Sequence, residues 1–241
     1  MVWDTDTGKR LHTLRDNMDN MMAVQSLAVD PVASTALELV VLSSSSDPKI
    51  RRWKISLDSA EQMLESTDAE DANDAIQEHE TSVYSLWFDI NDEEADLYTA
   101  SADGTAKCLS RSKKWATDET YEHGDYVRAV VATEDWVITA GRNEDVKVWD
   151  RNSGKLWHIY DGHFEEVTGL VILEGGKKVV SVSIDGTVRT WSLTKEDLVK
   201  AQQEKGEREK GIKKEVPVEE KKSLMTAEEE AELADLMDDS D

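Results

Sequence analysis

Three histidines in this chain are each followed by a hydroxyl side chain and, four residues after it, by a carboxylate or an amide. The three sets are His79, Thr99 and Asp103; His123, Thr139 and Asn143; and His163, Ser181 and Asp185. A serine, a histidine and an aspartate in contact can activate the hydroxyl group as a nucleophile. A hydrolase needs one such set, with its serine exposed on a strained turn, whereas this pattern recurs along the chain. Recurrence favours a structural role, and we predict no catalytic residue.

A fourth position completes the pattern six residues after the carboxylate or amide. It holds Trp149 and Trp191 in two of the sets and Leu109 in the other. An earlier copy consists of Ser43, Asp47 and Trp53, with Asn20 in the histidine place. A pattern that returns every ~40 residues indicates repeated supersecondary units. The segment Val2-Trp3-Asp4 echoes Val148-Trp149-Asp150, so a fragment of a further copy precedes the others.

The elements that carry these residues are predicted to be short β-strands. Residues 127–131, 136–140 and 146–149 are rich in β-branched and aromatic side chains and are separated by turn residues. Asp103-Gly104 and Asp185-Gly186 are hairpin signals, because glycine accepts the positive φ of tight turns. With residues 155–160, one repeat has four strands, which is typical of a β-propeller blade.

These residues resemble the WD40 repeat family over residues 1–193. The resemblance rests on Val148-Trp149-Asp150, on Val2-Trp3-Asp4, on Gly162-His163 and on the Asp-Gly-Thr turns at 103–105 and 185–187. It implies that His163, Ser181, Asp185 and Trp191 form a hydrogen-bonded tetrad that holds one blade together. Leu109, Asn143 and Asn20 depart from this tetrad, so the first three repeats are expected to be held less firmly than the last.

The predicted fold is all-β, with about four WD40-type blades plus a partial one and a charged C-terminal tail. The bounds are a partial blade at 1–19, repeats at 20–78, 79–122, 123–162 and 163–193, and a tail at 194–241. Since WD40 propellers usually close with more blades, an incomplete or open propeller is predicted. Two alternatives stay open: residues 9–14 supply the outer strand that the last repeat lacks, or a second chain completes the ring.

The remaining chemistry-bearing residues point to neither metal nor cofactor. The histidines and the single cysteine, Cys108, have no metal-ligand spacing. One cysteine excludes a disulfide framework within the chain and favours a reducing, intracellular compartment, cytoplasm or nucleus. We found no apolar run long enough for a transmembrane helix and no signal-peptide pattern.

Charge narrows the classes of partner. The formal net charge is −24, which opposes binding to a nucleic-acid backbone and favours proteins or peptides with a basic surface. No Lys or Arg stands between Lys54 and Lys107, and an acidic insertion is predicted over 57–78. The spacing of Ala60, Met63 and Leu64 within it hints at a helix. The insertion is either a solvated loop or a docking loop for a basic partner.

The tail changes character twice. Residues 194–197 resemble a helix start, and the following Lys- and Glu-rich stretch is predicted to be partly helical at best and unable to bury a core. A short acidic helix is predicted over 227–238, where Leu233, Leu236 and Met237 form an apolar stripe. Such a segment either solubilises the chain or binds in an apolar groove of a partner.

The sequence predicts a non-catalytic scaffold or adaptor for protein–protein interaction. Candidate binding residues lie where first strands of blades begin or where second and third strands join; they are Tyr84, Tyr126, Arg128, Arg142 and Glu166. Aromatic residues and arginine are favoured as interface anchors. Two alternatives are a regulatory or substrate-recognition subunit of a ubiquitin-ligase, RNA-modifying or chromatin complex, and an enzyme that uses the central channel of a propeller.

Overall fold

A computed structural model describes residues 1–15, 22–63, 75–89 and 94–209. By internal contacts the chain divides into two units, residues 1–202 and 203–241. All the described strands lie in the first unit, whereas the second unit is described only for 203–209, the end of a helix. Asn20, half of the acidic insertion (64–74) and the apolar stripe near residue 235 lie outside the described residues.

Five antiparallel sheets make up the first unit. The strands are β1 Val2–Trp3, β2 Arg10–His12, β3 Val24–Val29, β4 Leu39–Ser45, β5 Arg51–Ile55, β6 Ala60–Met63, β7 Val83–Phe88, β8 Leu97–Ser101, β9 Thr105–Ser110, β10 Ala116–Glu122, β11 Val127–Ala132, β12 Trp136–Gly141, β13 Val146–Asp150, β14 Leu156–Tyr160, β15 Val167–Leu173, β16 Lys178–Ser183 and β17 Val188–Ser192. One helix, α1, spans Lys195–Glu209.

The sheets follow the chain as successive blades. Blade 1 is β3–β6, blade 2 is β7–β10, blade 3 is β11–β14 and blade 4 is the three-stranded sheet β15–β17. Strands β1 and β2 pair only with each other. The four-bladed, open β-structure expected from the repeats is therefore present. Gly104 and Gly186 have φ of +90° and +79° in the turns that join second and third strands, which explains the glycine at these positions.

Neighbouring blades pack face to face, and the contact repeats. We call the face that carries the Ser/Thr and Trp positions the leading face and the opposite one the trailing face. Tyr98, Ala100 and Cys108 on the trailing face of blade 2 pack against the leading face of blade 3, including Val130 and Trp149. The trailing face of blade 3 packs likewise against blade 4, and that of blade 1 against blade 2. Alternating strand residues thus bury both faces of an internal blade.

Two ion pairs join neighbouring blades at the ends of their first strands. The Arg111 guanidinium of blade 2 donates to both Asp30 oxygens of blade 1, at 2.7 and 3.1 Å. Arg151 of blade 3 forms the equivalent ion pair with Asp89 of blade 2. Both arginines stand two residues after the tryptophan position, and both aspartates are at most 1% exposed. Burial opposes ionisation of Asp30, but the hydrogen bonds from Arg111 and from the Ala33 and Val32 backbone, together with the charge of Arg111, outweigh it and hold the pKa of Asp30 below its usual value.

The tail predicted from residue 194 contributes one buried side chain at its beginning. Helix α1 begins as the sequence suggested, with the Thr194 hydroxyl bonded to the backbone and side chain of Asp197. However, Leu198 in the first turn is 0% exposed and joins the core between blades 3 and 4, where Leu193 also lies. An apolar residue one turn inside a charged helix is enough to dock its beginning on the propeller core.

The acidic insertion also differs from its prediction. Ala60–Met63 is not helical but forms β6, the outer strand of blade 1, in register with residues 52–55. The backbone of the neighbouring strand offered unpaired hydrogen-bonding groups, and pairing with it overrides a helical spacing of three residues. The insertion ends in a buried bridge, in which Ile76 exchanges backbone hydrogen bonds with Ile50.

The N-terminal strands do not close the ring within one chain. Arg10–His12 pairs with Val2–Trp3, in the register Val2 with His12 and Trp3 with Arg10, rather than with β17 of blade 4. The His12 ring holds this fragment against blade 1, because its Nε2 lies 3.0 Å from the Ser56 carbonyl oxygen. The alternative in which residues 9–14 complete blade 4 of the same chain is therefore wrong for the described structure.

Candidate functional site

The tetrad residues of blade 4 are brought together. His163 Nδ1 lies 3.0 Å from the Asp185 carboxylate, and Nε2 lies 2.7 Å from the Ser181 hydroxyl. Trp191 donates its indole N–H to the same hydroxyl at 2.8 Å. Thr187 donates to Asp185, and that bond, with others, holds the pKa of the carboxyl group below its usual range. The hydroxyl accepts from tryptophan and also contacts the histidine ring, so all four side chains have hydrogen-bond partners in one another.

In blade 3 the histidine ring is turned the other way. His123 Nε2 faces the Asn143 amide oxygen at 2.7 Å, and Nδ1 faces Thr139, which accepts from Trp149 at 2.8 Å. An amide oxygen can accept a hydrogen bond but carries no negative charge. Burial therefore dominates and lowers the pKa of His123 to about 4. Asparagine in the aspartate place keeps the geometry and removes the charge.

Blades 2 and 1 hold smaller sets. His79 bonds Asp103 at 2.8 Å and Thr99 at 2.7 Å, while Leu109 offers no indole N–H to the threonine. In blade 1, Trp53 donates to Ser43 at 2.7 Å. Asp47 there binds the buried Arg51 at 3.0 Å. Each substitution in the sequence pattern thus appears as a different set of hydrogen bonds at the same place in the blade.

These sets have no geometry for nucleophilic catalysis. The hydroxyl-bearing residues Thr99, Thr139 and Ser181 are each 0% exposed, so no substrate atom can reach them. Burial also raises the pKa of the Cys108 thiol to about 11, which keeps it protonated and unreactive. Within the described ranges, no group of three or more His, Cys, Asp or Glu side chains is arranged to hold a metal ion.

The candidate binding residues lie on one side of the blades. We call this side the upper face: it carries the beginnings of the first strands and the turns between second and third strands. Three of the candidates come from successive blades and touch in a row. The Arg128 guanidinium lies 4.2 Å from the Tyr84 ring centroid and forms an ion pair with Glu166. A continuous arginine-centred contact therefore crosses blades 2, 3 and 4.

The other two candidates form a second pair beside this row. The Arg142 guanidinium lies 5.3 Å from the Tyr126 ring centroid, and the Arg142 backbone N–H donates to the Tyr126 carbonyl oxygen at 2.9 Å. Tyr126 is 43% exposed. Stacking on tyrosine holds a long arginine side chain in place, so that less conformational entropy is lost when a ligand binds.

The structure adds residues that the sequence reasoning missed. Phe164 and Ile184 on the upper face of blade 4 are 75% and 64% exposed. Exposed Glu80, Glu144 and Glu165 also stand on upper-face loops, in blades 2, 3 and 4 respectively. Phe164 could have been found because it directly follows the histidine of the pattern. The upper face thus combines exposed apolar side chains and carboxylates with Arg128 and Arg142.

The last three predicted binding residues are not among those that the structure describes. Leu233, Leu236 and Met237 lie outside the described residues, so their role as an apolar recognition stripe stays a prediction. In the described part of the chain, no helix is both long enough and apolar enough to cross a membrane.

Comparison with known families and proteins agrees with the blade geometry. The family model WD40, described as WD domain, G-beta repeat, matches residues 154–192. The chain is 36% identical over 149 residues to the uncharacterized WD repeat-containing protein C126.01c of Schizosaccharomyces pombe. This alignment covers 61% of this chain and 37% of that protein. It is 25% identical over 231 residues to cilia- and flagella-associated protein 52 of Homo sapiens, covering 77% of this chain and 34% of the other.

A solved structure shows the same fold. The crystal structure of the computationally designed Ika4 protein matches with a TM-score of 0.57 and 24% identity, over 78% of this chain and all of that one. The chain spans about a third of the length of the two natural relatives. The repeated tetrads, the blade sheets and the matched family model agree on one assignment. The chain carries a WD40 repeat at residues 154–192 and is similar to WD repeat-containing proteins.

Proposed function

We propose that this chain is a non-catalytic scaffold or adaptor that binds proteins or peptides on its upper face. The observation that carries the proposal is the row Tyr84–Arg128–Glu166, which joins three blades on one side. Because the tetrads fix the turns beneath it, this row is presented by a rigid frame rather than by loops alone. A rigid surface of aromatic and arginine side chains supports tight binding at low entropic loss.

We propose a partner segment with basic side chains and at least one apolar anchor. Glu165 directly follows exposed Phe164, Glu80 and Glu144 add negative charge on the upper-face loops of blades 2 and 3, and the net charge of −24 steers cations toward the chain. The same charge opposes binding to a nucleic-acid backbone or to an anionic membrane surface. The partners proposed here also include a second chain that completes the propeller.

Peptide binding provides the direct test. A set of short peptides with matched apolar residues, one series rich in Lys and Arg and the other in Asp and Glu, is titrated against the chain by fluorescence anisotropy. We expect members of the basic series to bind and affinity to fall with salt. Phe164→Ala with Glu165→Gln should weaken binding at least tenfold. Leu37→Ala, at an equally exposed site on the β3–β4 loop, is the matched control and should leave it unchanged.

Two results would refute the proposal. One is preferential binding of the acidic series, which would reverse the proposed partner chemistry. The other is binding that is equally insensitive to the upper-face and control substitutions, which would move recognition elsewhere. If recognition belongs to Leu233, Leu236 and Met237, a chain lacking residues 223–241 loses its partners while Phe164→Ala retains them.

A second candidate function is a regulatory or substrate-recognition subunit of an enzyme complex, such as a ubiquitin-ligase, RNA-modifying or chromatin assembly. It uses the same upper face, and stable co-purification with a catalytic subunit would favour it over a free adaptor. The proposal includes no enzymatic step and no cofactor, and it places the chain inside the cell, in cytoplasm or nucleus. The buried cysteine, which is kept as a free thiol, supports a reducing compartment.

A further inference from the structure

The two ends of the blade series expose matching halves of one repeated contact. On the trailing face of blade 3, Val131 and Val146 are 4% and 0% exposed, because blade 4 covers them. The equivalent residues of blade 4, Val171 and Val188, are 59% and 69% exposed. This exposed aliphatic face of blade 4 corresponds, in residue type and position, to the trailing face that internal blades bury.

The opposite end shows the complementary half. Leu86 and Phe88 on the leading face of blade 2 are 7% and 6% exposed against blade 1. The residues at the same positions of blade 1, Leu27 and Val29, are 65% and 51% exposed. Blade 4 therefore offers an uncovered trailing face, and blade 1 offers the inner half of an uncovered leading face. Each is the kind of surface that covers the other elsewhere in this chain.

The hydrogen-bonding edges match as well. Blade 4 ends at β17, with no fourth strand among the described residues, whereas blade 3 has β14 at this position. The strand β2 resembles β14: His12 pairs with Val2 and Arg10 with Trp3, as His158 pairs with Val148 and Leu156 with Trp149. Among the described residues, β2 pairs with the two-residue strand β1 alone. A two-stranded pair of this length is marginal by itself.

We propose that two copies of this chain associate head to tail, with blade 4 of each docked on blade 1 of the other. In each junction β17 replaces β1 beside β2 of the other copy, so that β2 becomes the fourth strand of the docked blade. His12 stays anchored to blade 1, which places β2 at the junction. The trailing face of blade 4 then covers Leu27 and Val29. Two such junctions related by a two-fold axis close the assembly and leave no open blade face.

The exchange predicts a definite register. By analogy with Val148–His158 and Val146–Tyr160 in blade 3, Thr190 of one copy pairs with His12 of the other, and Val188 pairs with Leu14. β1 gives way because it offers two residues to β2, whereas β17 offers five and is backed by a sheet. The junction adds interactions of the type already present three times between blades of one chain.

Mass and cross-linking test the proposal with the full 241-residue chain. Sedimentation velocity should give a species of twice the chain mass. Val171→Lys with Val188→Lys should give the single-chain mass with an unchanged circular dichroism spectrum, while Leu37→Lys, the matched exposed control, should stay dimeric. Leu14→Cys with Val188→Cys should form a disulfide under mild oxidation, giving a band of double mass on a non-reducing gel. Either cysteine alone should not give that band efficiently.

The contrary outcomes are distinct. A single-chain mass at every concentration overturns the proposal and assigns the open faces to other blades. A disulfide that forms within one chain also overturns it, because β2 would then complete blade 4 of its own chain. Upper-face substitutions such as Phe164→Ala should leave the dimer intact, so that loss of peptide binding and loss of dimerisation are separable results.

Discussion

Acidification should weaken blade 3 through His123. The ordinary pKa of a histidine is 6.5, and burial lowers the pKa of His123 to about 4. Between these values the unfolded chain binds a proton that the folded chain excludes. The stability that depends on neutral His123 is therefore fully present above pH 6.5 and is lost progressively as the pH falls to 4.

The magnitude follows from the difference of the two pKa values. Each pKa unit corresponds to ~1.4 kcal/mol, so the free energy of unfolding should fall by about 3 kcal/mol across this interval. The carboxyl groups of Asp103 and Asp185 affect the free energy of unfolding in a lower pH range. Hydrogen bonds hold their pKa values below the usual range, so the stability that they provide is lost only below about pH 4.

Urea unfolding measured at steps between pH 7 and pH 4 provides the assay. The control variants are His123→Gln, which removes the titrating group, and Asn143→Asp, which places a carboxylate beside the ring as in blades 2 and 4. The carboxylate should raise the pKa of His123 and flatten the pH dependence. If wild type and His123→Gln lose stability equally between pH 6.5 and 4, the assignment of this effect to His123 is wrong.

Two further substitutions test the contacts that join the blades. Arg151→Met removes the guanidinium beside the buried Asp89 carboxylate and should lower the free energy of unfolding by about 3 kcal/mol, most of which the double variant Arg151→Met, Asp89→Leu should recover. Leu198→Ala should cost about 3 kcal/mol by leaving a cavity between blades 3 and 4, whereas Val199→Ala, at an exposed position, should change stability little. Urea unfolding at pH 7 measures both, and a loss below ~1 kcal/mol for Leu198→Ala would show that the helix start does not contribute to the core.

The repeat spacing identified the blades because particular positions in a blade need a side chain that can form a particular hydrogen bond. A buried indole N–H, an imidazole and a carboxylate must find partners, so Trp191, His163 and Asp185 recur at fixed separations that can be read from one sequence. The inter-blade pairs had a weaker signal of the same kind. Arg111 and Arg151 occupy one repeat position, and Asp30 and Asp89 another, but only a spatial contact shows that they meet across blades.

Other features depended on neighbours that a local pattern does not reveal. Ala60–Met63 has helical spacing, yet it became a strand because the edge of β5 lay beside it. Leu198 stands among charged residues, yet the core between two blades takes it in. Both outcomes are set by tertiary contacts, which outweigh differences in local propensity of a few tenths of a kcal/mol per residue.

The sequence by itself determined the WD40 blades, the residues of the tetrads and the strongly acidic character of the chain. The blades and tetrads follow from side chains that recur at fixed spacing, and the acidic character follows from the composition. Only the tertiary structure decided that Tyr84, Arg128 and Glu166 form one row across three blades and that Val171 and Leu27 are left open at opposite ends. The physical reason is that a repeat fixes what each blade contains, whereas the contacts between blades and the faces left without them exist only after the blades are assembled.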